Sequence, residues 1–493
     1  MAFPPSSRRP ARMVRWPPGP GWIALAAAAL IGVEIGVRVF STNDEARFPL
    51  LAQDILTRGD WLWPRLNGAA YYNKPPLLAW LIALVSWPVG RVTQWSAVLP
   101  SAAAVVASVL LIYAIARDLF DAETGCFAAL IAMTMQTLFF HAHLALPDAL
   151  MTCFITGSIW MLVRMTREPA RPWWIGFYAF AGLAFWAKGP AGLLPLAVGL
   201  AYAFATRAGR RWSLRLGLGL PLVGGLVALW WLLGALADSR ALTQAVVTDQ
   251  LGWYRPRGGL LVIVTAPLRS LAVALFPWGL LAPLAIPPVV RACRAGEPRR
   301  AVLLPVVWLA VTIGLVALSH EQRLRYYVPV APPVAVLLGW WLGSWLVGQL
   351  ASGAARPDLS RATAVAVRRA LPIVWICSIA GLAIGYHWEV VRHNAAGSYA
   401  ELPGRIRPLL EDAPSVVAWG IPELPLAFYL GRPVTHVGSE KELRVVLERG
   451  PRAVVVASDI DWARRKLPPT ELSASGGGPI EPPVVLVRGR VKR

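Results

Sequence analysis

At least five apolar runs in this chain are long enough to cross a membrane, and they constrain the fold more than any other feature. These runs cover residues 22–40, 94–116, 216–235, 260–288 and 326–349. About 20 apolar residues of helix span a hydrocarbon layer of roughly 30 Å. In lipid only helices and closed barrels satisfy the backbone, and these runs do not alternate with period two. The sequence therefore predicts a polytopic α-helical membrane protein.

The composition supports this class and excludes others. The 493 residues are 56% hydrophobic and only 15% charged, which is too apolar for an ordinary soluble protein. The formal net charge of +21 could suggest a nucleic-acid partner. The arginines, however, cluster in short loops between apolar runs, as cytoplasmic loops do under the positive-inside rule. We therefore expect a lipid bilayer as partner and no nucleic acid.

The arginine clusters also set the sidedness of the predicted helices. With residues 1–20 as a basic cytoplasmic tail, every later cluster falls inside if the chain crosses the membrane eleven times. The first run lacks a small-residue cleavage site and is kept as an uncleaved anchor. The predicted crossings are 22–40, 94–116, 126–144, 149–163, 173–187, 190–206, 216–235, 260–288, 302–319, 326–349 and 371–388.

The apolar stretch 77–90 is left out as a crossing because it is short and follows Pro75 and Pro76. Including it would put every later arginine cluster outside. We interpret it as a re-entrant or interfacial helix in a first outer loop, residues 41–93, of a transmembrane unit covering 21–390. On this topology Asp44, Lys74, Asp148 and Lys188 lie on one outer face of the membrane.

After residue 390 the composition changes, and residues 391–493 are predicted to form a small extracytoplasmic α/β domain. Short β-branched runs alternate there with helical patterns. No Gly-rich fingerprint leads from a strand into a helix, so no nucleotide is assigned. Strands are predicted near 415–419, 433–437 and 452–457, and helices near 423–430 and 439–449.

Two adjacent acids, Asp44 and Glu45, open the first outer loop. Acids in the first turn of a helix complement its dipole, so a capping role is one interpretation. The other is catalytic, because Arg47 lies three residues after Asp44, on the same helical face, and would keep that carboxylate ionised. An ionised, oriented carboxylate can serve as a general base.

Asp148 lies where one apolar run ends and another begins. It could cap a helix that starts at Pro147. An ionisable group at a membrane boundary is costly unless it is used, which favours a functional role. His141 and His143 are nearby and could either bind a metal or form ordinary hydrogen bonds. Asp44 and Asp148 could share a divalent cation, and this alternative stays open.

Lysine usage is informative, because residues 1–390 contain only Lys74 and Lys188 against dozens of arginines. A compact ammonium, followed each time by a turn that contains proline, suggests a phosphate partner. The alternative is a lysine that extends to the membrane interface. Further arginines and tyrosines on the same face could bind substrate or anchor the interface: Tyr254, Arg255, Arg257, Arg323, Arg325, Tyr326 and Tyr327.

An ordered series of motifs carries a family resemblance. After the first apolar run come "DEAR", "GDW" and "YYNKPPLLAWL", then "LALPDALMT", "GLAFWAKGPAGLLPL", "DQLGWY" and "RYYVPVAPPVAVL". Over most of residues 20–350 the chain resembles the integral-membrane C-type glycosyltransferases, specifically the aminoarabinose lipid A transferases and the protein O-mannosyltransferases. The resemblance implies the C-type fold.

The resemblance also implies roles for single residues. Asp44 matches the catalytic base, with Arg47 as its neighbouring arginine, and Asp148 matches a second acid. Lys74 matches a lysine that contacts the donor phosphate, and Tyr326 a tyrosine that faces the lipid phosphate. We add Glu45 as a further catalytic candidate, and Arg325 and Lys188 as further candidates for binding the donor phosphate.

The resemblance implies the transfer of a sugar from a polyprenyl phosphate to a hydroxyl or phosphate of a lipid, glycan or protein acceptor, and these residues fit that reaction. Asp44 would take the acceptor proton, and the configuration would invert. The site would lie at the outer face of the cytoplasmic membrane, with no required cofactor. A transporter or flippase for lipid-linked sugars is the alternative, but such proteins are expected to carry mid-membrane charges and related halves.

Overall fold

A computed structural model describes most of the chain. The described residues are 19–207, 213–248, 252, 260–294, 299–319, 323–351, 361–396, 399–409, 415–439, 441–442, 445–446, 452–457 and 484–488. Their fold is mainly helical, as predicted. The helices are α1 Pro20–Ile31, α2 Asn43–Arg58, α3 Leu77–Ser86, α4 Gln94–Leu119, α5 Ala122–Met133, α6 Gln136–Ala142, α7 Pro147–Arg167, α8 Trp173–Lys188, α9 Leu194–Thr206, α10 Leu216–Val246, α11 Leu260–Ala274, α12 Ala282–Arg294, α13 Arg299–Ala317, α14 Ala331–Ala351, α15 Arg361–Ala396, α16 Leu402–Ile406 and α17 Glu423–Leu430.

Several helices can cross a membrane by length and composition. Within the described residues six are long and apolar enough to do so, or up to eight if two bent pairs each count as one span. The multi-pass helical class is therefore confirmed. The count of eleven crossings stays a prediction, because α1, α8 and α9 are shorter than the 18 residues that define such a span.

The first predicted crossing, 22–40, differs from the structure. Helix α1 ends at Ile31, and the chain then continues through turns instead of helix. Glu34 and Gly36 both have positive φ angles, which an α-helix cannot contain. A Cβ atom at Gly36 would lie 2.5 Å from the Cα of Trp95, so close packing against α4 requires glycine here.

Two other predicted crossings are bent. The run 126–144 divides into α5 and α6, which meet at 61°. The run 260–288 contains a bend of 113° near Pro277, which has no backbone N–H to continue a helix. The two bends contact each other, because Gln136 N–H donates to Phe276 O at 2.9 Å and Trp278 Nε1 donates to Thr134 Oγ1 at 2.8 Å.

The first loop contains α2, the short hairpin of β1 (Arg65–Leu66) and β2 (Ala69–Ala70), and α3. Helix α3 has only 10 residues, about 15 Å of helix, which is half a bilayer core. It buries Leu78, Ala79 and Ile82 against the rest of the protein. This agrees with a short helix packed on protein, as predicted for 77–90.

The C-terminal residues form a four-stranded sheet in the order β4 (Thr435–Val437), β3 (Ser415–Trp419), β5 (Arg452–Ala457), β6 (Val484–Arg488). The first three strands are parallel, and β6 is antiparallel to β5. The predicted strands and the helix 423–430 agree with the structure. Of the predicted helix 439–449, residues 439, 441–442 and 445–446 are described; residue 439 is not helical and the other four are.

This sheet and its helices, residues 399–488, are called the C-terminal unit below. The unit packs on the first loop through a shared apolar cluster that contains Val39, Leu426 and Leu430, with Leu50 of α2 against it. Asn67 lies between β1 and β2. Its Nδ2 donates a hydrogen bond to Val434 O, and its Oδ1 accepts one from Val434 N–H at 2.8 Å. The C-terminal unit thus lies beside the start of α2.

Candidate active site

Asp44 lies in the first turn of α2, the first helix of the outer loop. Thr42 caps this helix, because its Oγ1 accepts a hydrogen bond from Glu45 N–H at 3.3 Å. The capped turn leaves the Asp44 side chain 29% exposed. A carboxylate at this end of a helix is also stabilised by the helix dipole.

Three arginines converge on the Asp44 carboxylate. Oδ1 accepts from Arg47 Nη1 at 3.1 Å, on the same helix. Oδ2 accepts from Arg325 Nη1 at 2.7 Å and from Arg323 Nη1 at 3.2 Å. Arg323 and Arg325 lie at the start of the 3₁₀ segment Leu324–Val330, far along the chain. The tertiary fold therefore builds a cationic group around the first acid of the loop.

These charges decide the protonation of Asp44. Burial by itself would raise the pKa of the carboxyl, but the positive charges of Arg325 and Arg47 outweigh it and hold the pKa below its usual range. Asp44 is therefore ionised at neutral pH. A carboxylate held this way is a weak proton acceptor for as long as the arginines remain on it.

Asp148 forms a second acidic centre at the start of α7. Its side chain is 1% exposed, and its Oδ1 accepts a hydrogen bond from Lys188 Nζ at the end of α8. The same Nζ lies 4.9 Å from the ring centroid of Tyr326, and Arg325 Cζ lies 5.7 Å from that centroid. Tyr326 thus stands between the two basic side chains, which links the Asp44 and Asp148 centres.

Lys74 completes the group from the segment between the β1–β2 hairpin and α3. Burial and the positive charges of Lys188 and Arg47 lower its pKa to about 7, although Asp148 acts in the opposite direction. Within the part of the chain that the structure describes, no carboxylate forms an ion pair with Lys74. An ammonium in this position gains from any anion that enters.

Counting charges shows what the group can bind. Among the described residues, two carboxylates meet five basic side chains: Asp44 and Asp148 against Arg47, Lys74, Lys188, Arg323 and Arg325. The excess is positive even with Lys74 partly neutral. The Nε atom of Arg325 is also buried, with no hydrogen-bond partner among the described residues. Such a group is suited to an anion with several acceptor oxygens, such as a phosphate.

Comparison with known proteins gives matches in sequence. A profile described as dolichyl-phosphate-mannose-protein mannosyltransferase matches residues 73–236. An undecaprenyl phosphate-alpha-4-amino-4-deoxy-L-arabinose arabinosyl transferase of Pseudomonas aeruginosa is 30% identical over 311 residues, 60% of this chain and 54% of that protein. One from Pectobacterium carotovorum is 26% identical over 340 residues, 65% and 58% of the two chains. The chain thus matches little more than half the length of these curated relatives.

Comparison of structures extends the likeness over almost the whole chain. ArnT from Cupriavidus metallidurans, in a structure bound to undecaprenyl phosphate, superposes with a TM-score of 0.73 at 20% identity and covers 95% of this chain and 98% of that one. The predicted resemblance to the C-type glycosyltransferases is confirmed. An oligosaccharyltransferase from Archaeoglobus fulgidus has a TM-score of 0.60 at 14% identity, covering 90% and 70%.

On this C-type fold, most of the predicted site residues come together. Asp44, Arg47 and Arg325 are in direct contact, as are Asp148 and Lys188. Two further predicted residues, Lys74 and Tyr326, lie next to these pairs. One feature differs from the prediction: Lys188 is already neutralised by a buried carboxylate and is not available as a single charge for phosphate.

Glu45 is a correction, because the structure does not bring its carboxylate to this group. Oε1 accepts from Arg38 Nη1, and Oε2 accepts from Ser41 N–H at 3.2 Å. Arg38 in turn contacts His393 Nδ1 of α15 at 3.3 Å. Glu45 is 5% exposed and holds the chain that leads into α2, so the interpretation as a structural acid fits and the catalytic one does not.

The two histidines form ordinary hydrogen bonds. His141 Nδ1 lies 2.7 Å from Thr137 O, and His143 contacts the carbonyl oxygens of Phe139 and Val33 at 2.9 and 3.1 Å. Among the described residues, no group of three or more His, Cys, Asp or Glu side chains could hold a metal ion. Asp44 and Asp148 are both engaged by basic side chains, which does not fit a shared divalent cation, so no step is assigned to one.

The sequence analysis left Arg323 open between substrate binding and interface anchoring, and it gave Asn43 no role in the site. Arg323 binds Asp44 directly, and Asn43 binds the C-terminal unit beside it. Arg323 had a signal, two residues before Arg325 in a segment already assigned to the outer face. Asn43 had none, because its partners lie 380 and 381 residues later in the chain. Tyr254, Arg255 and Arg257 lie outside the described residues.

Proposed function

We propose that this protein is a glycosyltransferase that moves a sugar from a polyprenyl phosphate to a hydroxyl or phosphate of a lipid, glycan or protein acceptor. The observation that carries the proposal is Asp44 itself, an ionised carboxylate surrounded by basic side chains. Within the described part of the chain, these basic groups outnumber the acids of the site. A base beside an anion site is what transfer from a phosphate-linked sugar needs. Relatives named as undecaprenyl-phosphate sugar transferases support the same class.

Phosphate binding is assigned to Lys74, Arg325 and Arg323. Lys74 has no ion-pair partner within the described part of the chain, and Arg325 has a buried N–H without an acceptor there. Tyr326 lines the same position between Arg325 and Lys188. Asp148 is assigned to hold Lys188 in place. In a partly dry site these basic groups stabilise the charge that develops on a departing phosphate.

The base changes strength as the donor binds. In this structure Arg325 and Arg323 bind the Asp44 carboxylate and weaken it as a proton acceptor. A donor phosphate competes for the same guanidinium groups, which lets the pKa of Asp44 rise when substrate is present. Asp44 then accepts the proton of the acceptor hydroxyl as its oxygen bonds to the anomeric carbon. The bond from that carbon to the phosphate oxygen breaks, the phosphate keeps the electron pair, and the configuration inverts.

The proposal is tested by a direct transfer assay. The full chain in lipid nanodiscs is given undecaprenyl phosphate-linked 4-amino-4-deoxy-L-arabinose or mannose, together with a lipid extract or a hydroxyl-bearing peptide. Mass spectrometry follows the release of undecaprenyl phosphate and the mass added to the acceptor. We expect release that depends on the acceptor for at least one of these donors. Binding of the donors without any release, for every acceptor, would contradict the proposal.

Donor affinity is expected to fall with rising pH. The donor is a phosphodiester, which keeps one negative charge through the neutral range. Burial and the positive charges of Lys188 and Arg47 lower the pKa of Lys74 to about 7. A bound phosphate favours the charged lysine, so protonation and binding are linked and affinity drops above that pKa, by up to about tenfold per pH unit. Fluorescence binding curves from about pH 6 to about pH 8.5 measure this slope.

The matched variants are Lys74→Arg and Lys74→Met. Arginine stays charged over the whole range, so Lys74→Arg is expected to remove the slope and to keep binding at pH 8.5. Lys74→Met is expected to make donor affinity independent of pH and to lower it about tenfold at low pH. If donor affinity still falls with rising pH in either variant, the group that titrates is not Lys74.

The membrane arrangement is also a proposal. We propose eleven crossings of the cytoplasmic membrane. Residues 1–20 lie on the cytoplasmic side. The active site and the C-terminal unit, which lies within residues 391–493, are on the extracytoplasmic side. The arginine clusters between the predicted crossings support this sidedness. In a variant without the native cysteines, Asp60→Cys and Ser439→Cys are expected to react with an impermeant maleimide in intact cells. Arg210→Cys is expected to react only after permeabilisation, and the opposite pattern would reject the topology.

A further inference from the structure

The residue immediately before Asp44 is bound by the C-terminal unit. Asn43 Oδ1 accepts a hydrogen bond from Leu424 N–H at 3.0 Å, and Asn43 Nδ2 donates to Glu423 Oε2 at 2.9 Å. A side-chain amide is suited to this pair of contacts, because it accepts and donates at once. Both partners lie at the start of α17.

Helix α17 is itself held on the segment that enters α2. Tyr429 OH accepts from Phe40 N–H at 2.9 Å and from Gln94 Nε2 at 3.0 Å. The rings of Phe40 and Phe428 pack edge to face with centroids 5.1 Å apart. Helix α17, which contacts Asn43, is therefore held against the segment that precedes α2.

The other neighbour of Asp44 is fixed as well. Glu45 binds Arg38 and the backbone of Ser41, and its own N–H is capped by Thr42. Asp44 alone in this turn directs its carboxylate to the arginines of the site. Its position is thus set by residues 43 and 45, which leaves the carboxylate able to exchange an arginine for an acceptor hydroxyl while the backbone stays in place.

We infer that Asn43 is a positioning residue through which the C-terminal unit fixes the orientation of Asp44. The inference rests on the proposed function, because it gives Asn43 a role relative to Asp44 as base. The C-terminal unit thus influences the reaction by positioning Asp44, without supplying a catalytic residue of its own. A displacement of about 1 Å at a catalytic group can reduce a rate by up to about 100-fold, so a modest change at residue 43 has a measurable effect.

The test reverses the polarity of the Asn43–Glu423 hydrogen bond. In Asn43→Asp two carboxylates face each other, so the contact opens. Adding Glu423→Gln restores a bond, because the new amide can donate to the carboxylate at position 43, which still accepts from Leu424 N–H. The double variant also retains the extra negative charge next to Asp44. A rescue therefore reports the restored contact and not the removal of that charge.

We expect Asn43→Asp to lower kcat of the transfer reaction by about tenfold with KM for the donor within about twofold, and the double variant to recover most of kcat. Hydrogen exchange of the backbone amides of residues 40–48 is expected to rise in the single variant and return in the double one. Asn67→Asp is the matched control, because it disturbs a contact with Val434 of the C-terminal unit outside α2. It is expected to leave kcat unchanged.

The outcomes separate the two proposals. If Asn43→Asp and the control have equal kcat, or if the double variant is no better than the single one, the positioning role is wrong. Amide exchange that is equal in all variants contradicts it independently of any sugar. If the wild-type chain transfers no sugar, the proposed function fails instead, whatever the exchange data show for residue 43.

Discussion

Replacing Asp44 by asparagine is expected to reduce the rate of sugar transfer by about 10²–10⁴-fold, the range lost when a general base is removed. The amide cannot take the acceptor proton, although its oxygen can still accept from Arg325. Donor binding is expected to stay equal or become tighter, because Arg325 and Arg323 lose a competing carboxylate. Turnover under saturating donor and a separate binding curve measure the two effects.

The control for Asp44→Asn lies on the same helix. Asp54 accepts from Arg65 N–H at 2.8 Å and lies 3.8 Å from Arg58, both within the first loop. An asparagine there keeps the acceptor for Arg65, so Asp54→Asn is expected to change turnover by less than about twofold. If Asp44→Asn transferred sugar as fast as this control, Asp44 would not be the base. If its donor binding were lost instead, its role would be in building the anion site.

Sequence patterns with a local cause predicted the fold well. Strands β3 and β5 and helix α17 agree with the predicted bounds, because β-branched runs and helical periodicity there are closed by Gly and Pro residues. The multi-pass class follows directly from the length of the apolar runs. The bends in 126–144 and 260–288 could not be predicted, because each is stabilised by the other through Gln136 and Trp278.

The candidate site could be predicted in composition but not in pairing. Asp44 was selected because Arg47 lies on the same helical face, Lys74 because lysine is rare in residues 1–390, and Asp148 because it lies at a membrane boundary. That Arg325 reaches Asp44 across 281 residues, and that Lys188 reaches Asp148 across 40, depends on how the helices pack. Glu45 shows the limit of the local pattern. It is also a carboxylate and lies next to Asp44 in the sequence, yet it binds Arg38 and has a structural role.

The buried pair of Asp148 and Lys188 gives the second large expectation. Lys188→Met leaves a carboxylate that is 1% exposed without the ammonium that it is paired with, and the loss of one member of a buried ion pair costs about 3–5 kcal/mol. We expect a marked drop in the thermal denaturation midpoint of the purified protein. Tryptophan fluorescence measures it, because the chain contains 24 tryptophans.

The double variant Asp148→Asn with Lys188→Met removes both charges and leaves the net charge of the site unchanged. It is expected to recover most of the lost stability, since no uncompensated charge remains buried. Asp148 is already occupied by Lys188 and almost inaccessible, so it is a poor proton acceptor for a substrate. We therefore expect the folded double variant to keep turnover within about tenfold of wild type, far above Asp44→Asn. A folded double variant as inactive as Asp44→Asn would instead make Asp148 a second catalytic acid, and the two carboxylates would have to share the proton transfer.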